Sequence, residues 1–244
     1  MGCSLRMGRY VSSHELLRDE VGTAPLRTAA WSSLATGARN GVRLLPAHKR
    51  NDVARAAAEV VGQDSVKVRG VRYRKDCSGV ARAIYAMAGL QLGGRALRRD
   101  ENDVSILYRW MKESGSVHRD RPQVGDLVFF DNTYDRNRDG KTNDPLSHVG
   151  IVEKILADGT VVYVHHVSGG ILRYRMNLAH PRVRRDDAQG TRLNHELRRA
   201  TGDAPARTGA ELFRAFGSMP APPDEALWTM THALSPNVEI RPDS

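Results

Sequence analysis

Cysteine is nearly absent: the 244 residues hold two, Cys3 and Cys77. A disulfide joining a loose terminus to a residue at the edge of a helical pattern is not expected, so both thiols are read as free. Aromatic residues make up only 6% of the chain. With arginines scattered and no recognised nucleic-acid motif, nucleic acid is not expected as a partner. No run approaches the roughly 18 apolar residues of a membrane span. The first thirty residues show no signal peptide, having no uninterrupted apolar core, and the chain as written reads as soluble. The opening "MGCSLR" would suit the end of a lipoprotein signal whose upstream part is missing, with Cys3 as the lipidated residue, whereas Arg6 argues against myristoylation. Internal repeats and low-complexity blocks are absent too.

What the chain does have is enough apolar residue, 40%, to bury one core with decorated ends. Its formal charge is +9, with a pI near 9.9. That charge favours partners rich in carboxylate or phosphate, such as cell-wall polymers or anionic headgroups. Residues 1–49 read as an N-terminal extension with one helix around Ser13 to Val21, residues 50–218 as the folded domain, and residues 219–244 as a tail. A helix is expected from Asn51 or Asp52 to Gly62, and a second after Gly79, where Val80, Ala83, Ile84, Met87 and Ala88 fall at helical spacing before Gly89. "GDLVFF", "HVGIVEKI", "TVVYVHHV" and "ILRYRMNL" read as four antiparallel strands. "GAELFRAFG" reads as one more helix. Helices first and strands afterwards make an α+β domain.

Cys77 falls in the first turn of the second helix. Unpaired N–H groups and the positive helix end there favour thiolate, and Arg72, Arg74 and Lys75 add positive charge, so an activated thiol with a lowered pKa is expected. The ordinary reading of a lone cysteine is a small buried hydrophobe. A nucleophilic cysteine needs an imidazole to take its proton and a third group to orient that imidazole. His148 opens one expected strand, and His165 and His166 close the next, with Asp158-Gly159 as the turn signal. A two-residue loop there pairs Val152 with His165. His165 then shares a sheet face with His148, and His166 takes the other face. That register leaves His165 roughly 13 Å along the strand from His148, so a longer loop or bulges must close the gap.

These residues resemble the NlpC-type cysteine peptidases of bacterial cell walls. "DCSG" at 76–79 looks like the nucleophile motif, "GDLVFF" at 125–130 like the strand after it, and "HVGIV" at 148–152 like the catalytic histidine strand. "VHHVSGGI" resembles the third-residue segment and places His165 there. The resemblance covers roughly residues 50–178. It implies a papain-like α+β core, with N-terminal helices packed on a four- to six-stranded antiparallel sheet. It also implies a Cys77–His148–His165 triad cleaving an amide of peptidoglycan stem peptides, with substrate contacts from Asp76 and Ser78 and no cofactor needed for catalysis. The segment before "DCSG" departs from the family's pattern and leaves Tyr73 to stand in for its substrate-binding tyrosine. A periplasmic, cell-envelope or secreted location follows from the same resemblance, and a monomer is expected, although the sequence does not give the oligomeric state. An amidase or acyltransferase on the same core, or a non-catalytic basic wall-binding module, are the competing readings.

Between the second and third matched stretches lies "DNTYDRNRDGKTNDPLSH". Asp135, Asn137 and Asp139 alternate ahead of Gly140 as in the first half of a calcium loop. Position 12 is Leu146, so Asp144 would have to supply the late carboxylate, and an Asx-rich surface turn explains the same residues. A bound Ca²⁺ would be structural.

Overall fold

The computed structural model describes residues 38–39, 41–94, 96, 101–188, 190–201 and 205–221. The helix expected around Ser13 to Val21 and most of the C-terminal tail lie outside these residues. In chain order the elements are β1 (Ala38–Arg39), β2 (Val42–Arg43), α1 (Ala47–Glu59), β3 (Lys67–Val68), β4 (Val71–Arg72), α2 (Cys77–Met87), α3 (Asp103–Glu113), β5 (Val117–His118), β6 (Leu127–Phe130), β7 (His148–Ile155), β8 (Val161–Val167), β9 (Gly170–Met176), β10 (Glu196–Arg198), β11 (Arg207–Thr208) and β12 (Phe213–Gly217). This is an α+β domain around one six-stranded sheet of order β5-β12-β6-β7-β8-β9. Every pairing in that sheet is antiparallel. No described helix is long and apolar enough to cross a membrane.

The sheet is buried on both faces. Leu127, Phe129, Val149, Ile151, Val164 and Ile171 share a core with α1 and α2. The alternate residues Val128, Phe130, Val152, Val161, Tyr163 and Met176 form a second core with Phe216. A strand covered on both sides has no polar face to show, which is why "LVFF" is continuously apolar.

Two sequence expectations change, and one helix appears that the sequence reading did not contain. "GAELFRAFG" is not a helix: its Phe213–Gly217 stretch is β12, inserted between β5 and β6. Its apolar residues then serve the second core, and tertiary pairing overrides a short helical pattern. α1 starts at Ala47, four residues before Asn51, with Pro46 at the N-cap in extended geometry. Proline pre-sets its own φ and needs no side-chain cap there. α3, capped by Asn102 accepting from the Ser105 amide, had no counterpart in the sequence reading. Described residues on either side of 50–218 are also hydrogen-bonded to each other: Leu45 N–H donates to the Met219 carbonyl and Ala221 N–H to that of Arg43.

Candidate active site

Asp76 builds the nucleophile turn. Its carboxylate caps α2 by accepting from the Gly79 amide at 2.7 Å and from the Ser78 hydroxyl at 2.8 Å, and it pairs with Arg74 at 2.8 Å. Arg74 also reaches Asp103 at the start of α3, at 2.8 Å, tying the two helix starts together. The glycine of "DCSG" is sterically required: a Cβ on Gly79 would lie 2.2 Å from the Arg74 carbonyl oxygen. Tyr85 pins the far end of α2 to the sheet by donating to the Gly125 carbonyl at 2.5 Å.

Cys77, the first residue of α2, is free and partly exposed. Backbone amides of Val149, Ser78 and Cys77 itself favour its thiolate, but burial outweighs them and, with a smaller push from Asp76, raises the pKa to about 11. The activated low-pKa thiol expected from the helix end is therefore corrected: in the resting site the sulfur is a neutral thiol, because desolvation exceeds what the amides supply. The Val149 contact places the sulfur one residue along β7 from His148.

His148 and His165 meet. Nε2 of His148 lies 2.8 Å from Nδ1 of His165, with the rings edge to face at a centroid distance of 5.1 Å. Both are buried. Burial, followed by electrostatic repulsion from the neighbouring His166 imidazole, lowers the His148 pKa to about 4, and burial also lowers that of His165. Both imidazoles are thus neutral near neutral pH. The gap foreseen between them closes by two local events. Leu156 N–H donates to Thr160 across the hairpin end, so the turn holds three residues, and a bulge interrupts the register between Val152 and Lys154. Val152 consequently faces Tyr163, not His165. The two one-residue shifts add up, preserving the shared face while bringing His165 opposite Gly150. A Cβ on Gly150 would stand 3.3 Å from the His165 Cβ and 2.9 Å from the Tyr163 ring.

Among the expected substrate contacts, Ser78 is 3% exposed and its hydroxyl is given to Asp76. Tyr73 is partly buried against the helix-side core. A residue not singled out in the sequence joins them: Tyr134 is 51% exposed and lies within electrostatic reach of Cys77, Asp144 and Asp76. It sits in the polar loop before β7, where one tyrosine among turn residues carries no periodic signal.

The loop folds around its own oxygens. Asp135 accepts from the Asp139 and Gly140 amides, Asn137 from Asp139, and Asp139 from Lys141. Asp144 stands outside this network, 3% exposed, with Oδ2 lacking a hydrogen-bond partner. Among the described residues no group of three or more His, Cys, Asp or Glu side chains could hold a metal ion. A calcium ion in the turn would rest on two carboxylates and one amide.

Residues 67–166 match the family model of the CHAP domain. A solved structure described as similar to a lipoprotein of the NLP/P60 family, from Staphylococcus aureus subsp. aureus Mu50, is 19% identical with a TM-score of 0.34. The match covers 55% of this chain and 39% of that one. No curated protein matches. The stretch that matches the CHAP-domain model, residues 67–166, includes Cys77, His148 and His165.

Proposed function

We propose that the protein hydrolyses an amide bond in peptidoglycan stem peptides, with Cys77 as nucleophile, His148 as base and His165 as its orienting partner. The observation that carries this reading is the 2.8 Å bond between the two imidazoles, set one residue from the amide that touches the Cys77 sulfur. A neutral His148 that donates from Nε2 to His165 keeps Nδ1 as an acceptor. As the sulfur attacks the scissile carbonyl carbon, Nδ1 takes the thiol proton, so a thiolate forms only when it is needed. Backbone amides at the start of α2 stabilise the oxyanion. His148 then returns the proton to the leaving amine, and a water deprotonated by the same nitrogen hydrolyses the thioester.

Asp76 acts mainly through the turn it caps, and Tyr73 and Tyr134 line the approach to the thiol. The arginine-rich surface suits a substrate carrying free carboxylates. Such a substrate places the protein in the cell envelope or outside the cell. Digestion of purified peptidoglycan, with mass spectrometry of the released ends, tests the reading. New peptide amino termini produced by wild type and not by Cys77→Ala support an endopeptidase. Release at the sugar–peptide junction would make it an amidase. Equal digestion by Cys77→Ala would sink the proposal.

A further inference from the structure

The protonation pattern of the triad leaves one group unaccounted for, and the surrounding aromatic residues supply its partner. If Nε2–H of His148 donates to Nδ1 of His165, the proton of neutral His165 must sit on Nε2, on the far side of the ring. That nitrogen is buried and has no hydrogen-bond partner. A buried N–H without an acceptor is costly, and the tautomer that avoids it is the wrong one. A proton on Nδ1 of His165 would point at His148, force the His148 proton onto Nδ1 and remove the acceptor the thiol needs.

His165 is flanked by two tyrosines. The Tyr174 ring centroid is 4.3 Å away at 62° and that of Tyr163 is 5.0 Å away at 56°. The face of an aromatic ring is electronegative and accepts N–H donors, while it repels a nitrogen lone pair. Tyr174, one strand over on β9, is itself fixed: it stacks flat on His195 at 4.6 Å and 13°, and Nδ1 of His195 accepts the Arg175 amide at 2.9 Å. The desolvated His195 has its pKa lowered to about 4, so the stack stays uncharged near neutral pH.

We propose that Tyr174, backed by His195, is a positioning residue that accepts Nε2–H of His165 on its ring and so holds the histidine pair in the tautomer that leaves His148 able to take the Cys77 proton. The inference rests on the proposed triad for its consequence, but its physical content lies in the His165 tautomer, which can be read without turnover.

The test uses the full chain labelled with ¹⁵N-histidine, in wild type, Tyr174→Phe, Tyr174→Leu and Tyr174→Met, the last offering an unbranched, flexible side chain that adapts to the gap should the leucine variant fail to fold. Two-bond ¹⁵N–¹H spectra should show His165 as a single Nε2–H tautomer in wild type and in Tyr174→Phe, which retains the ring. Both tautomers should appear in the leucine or methionine variant. On purified peptidoglycan those two variants should lose roughly tenfold in kcat with KM unchanged, the scale seen when the outer partner of a metal-bound histidine is removed, and Tyr174→Phe should recover the rate. An Nδ1–H tautomer in wild type, or one unchanged by loss of the ring, overturns the inference. A correct tautomer together with full activity in Cys77→Ala would instead sink the triad and leave the positioning role standing.

Discussion

His165 can bond His148 because the residue directly across from it, Gly150, has no side chain. A methyl group there would press on the Tyr163 ring at 2.9 Å and on the His165 Cβ at 3.3 Å. Gly150→Ala should therefore tilt His165 away from His148. The expected result is a loss of turnover larger than the loss of stability, which should stay within the ~1–3 kcal/mol typical of overpacking. Peptidoglycan digestion and denaturant melts on the same preparation separate the two, and unchanged turnover would remove the glycine from the mechanism.

Gly79→Ala should act on the fold first. Its Cβ would meet backbone, the Arg74 carbonyl, at 2.2 Å, and backbone cannot rotate aside as a side-chain end can. We expect a destabilisation of about 3 kcal/mol or more, read as a lower urea midpoint, together with loss of the Asp76 cap. A midpoint like that of wild type would contradict the close approach.

Removing the base and removing its partner should differ. Cys77→Ala and His148→Ala should abolish turnover, a drop on the order of a thousandfold or more, whereas His165→Ala should leave a residue of activity, since an orienter moves no proton. His166 pairs with Ile171 and takes the sheet face opposite the one His148 and His165 share, so His166→Ala should be mild. A dead His166→Ala beside an active His165→Ala would assign the third role to the wrong imidazole.

With its pKa raised to about 11, Cys77 should show an iodoacetamide rate that climbs with pH and does not level below pH 8.5. At pH 8 roughly one thiol in a thousand is ionised. An early plateau would mean that an imidazolium–thiolate pair forms at rest. The histidines set the acid side of stability. His148 and His195, lowered to about 4, and His165, lowered in the same direction, stay neutral in the fold while the unfolded chain takes up protons near pH 6.5. Their contribution is present above pH 6.5 and is lost as pH falls toward 4. Urea midpoints across that window should fall, less so in His195→Ala.

A Ca²⁺ held by Asp135, Asn137 and Asp139 remains a proposal with a simple readout. Binding would stabilise the fold by about 2.7 kcal/mol when free ion is a hundredfold above its dissociation constant. Melting temperature should rise with calcium and fall with chelator, and Asp135→Ala with Asp139→Ala should erase the response without changing Cys77 alkylation. Superimposed melts would leave the loop as a turn closed by its own amides.

Local patterns reached far in this chain. Val80, Ala83, Ile84 and Met87 ahead of Gly89 implied α2, which runs Cys77–Met87, and the apolar runs implied β6 to β9, because helical and extended periodicity are properties of neighbouring residues. Side-chain parity along β7 and β8 also put His148 and His165 on one face, whatever even shift the hairpin adopted. What no local pattern carries is the sum of a three-residue turn and a bulge, which decided that His165 stands across from Gly150. Nor does one show the long-range pairing that made "FRAFG" a strand between β5 and β6. The thiol belongs to the same class: a helix start and nearby arginines speak for a thiolate. Arg74, however, is engaged by Asp76 and Asp103, and the protein packed around the sulfur raises its pKa, since desolvation depends on what the rest of the chain brings to that point.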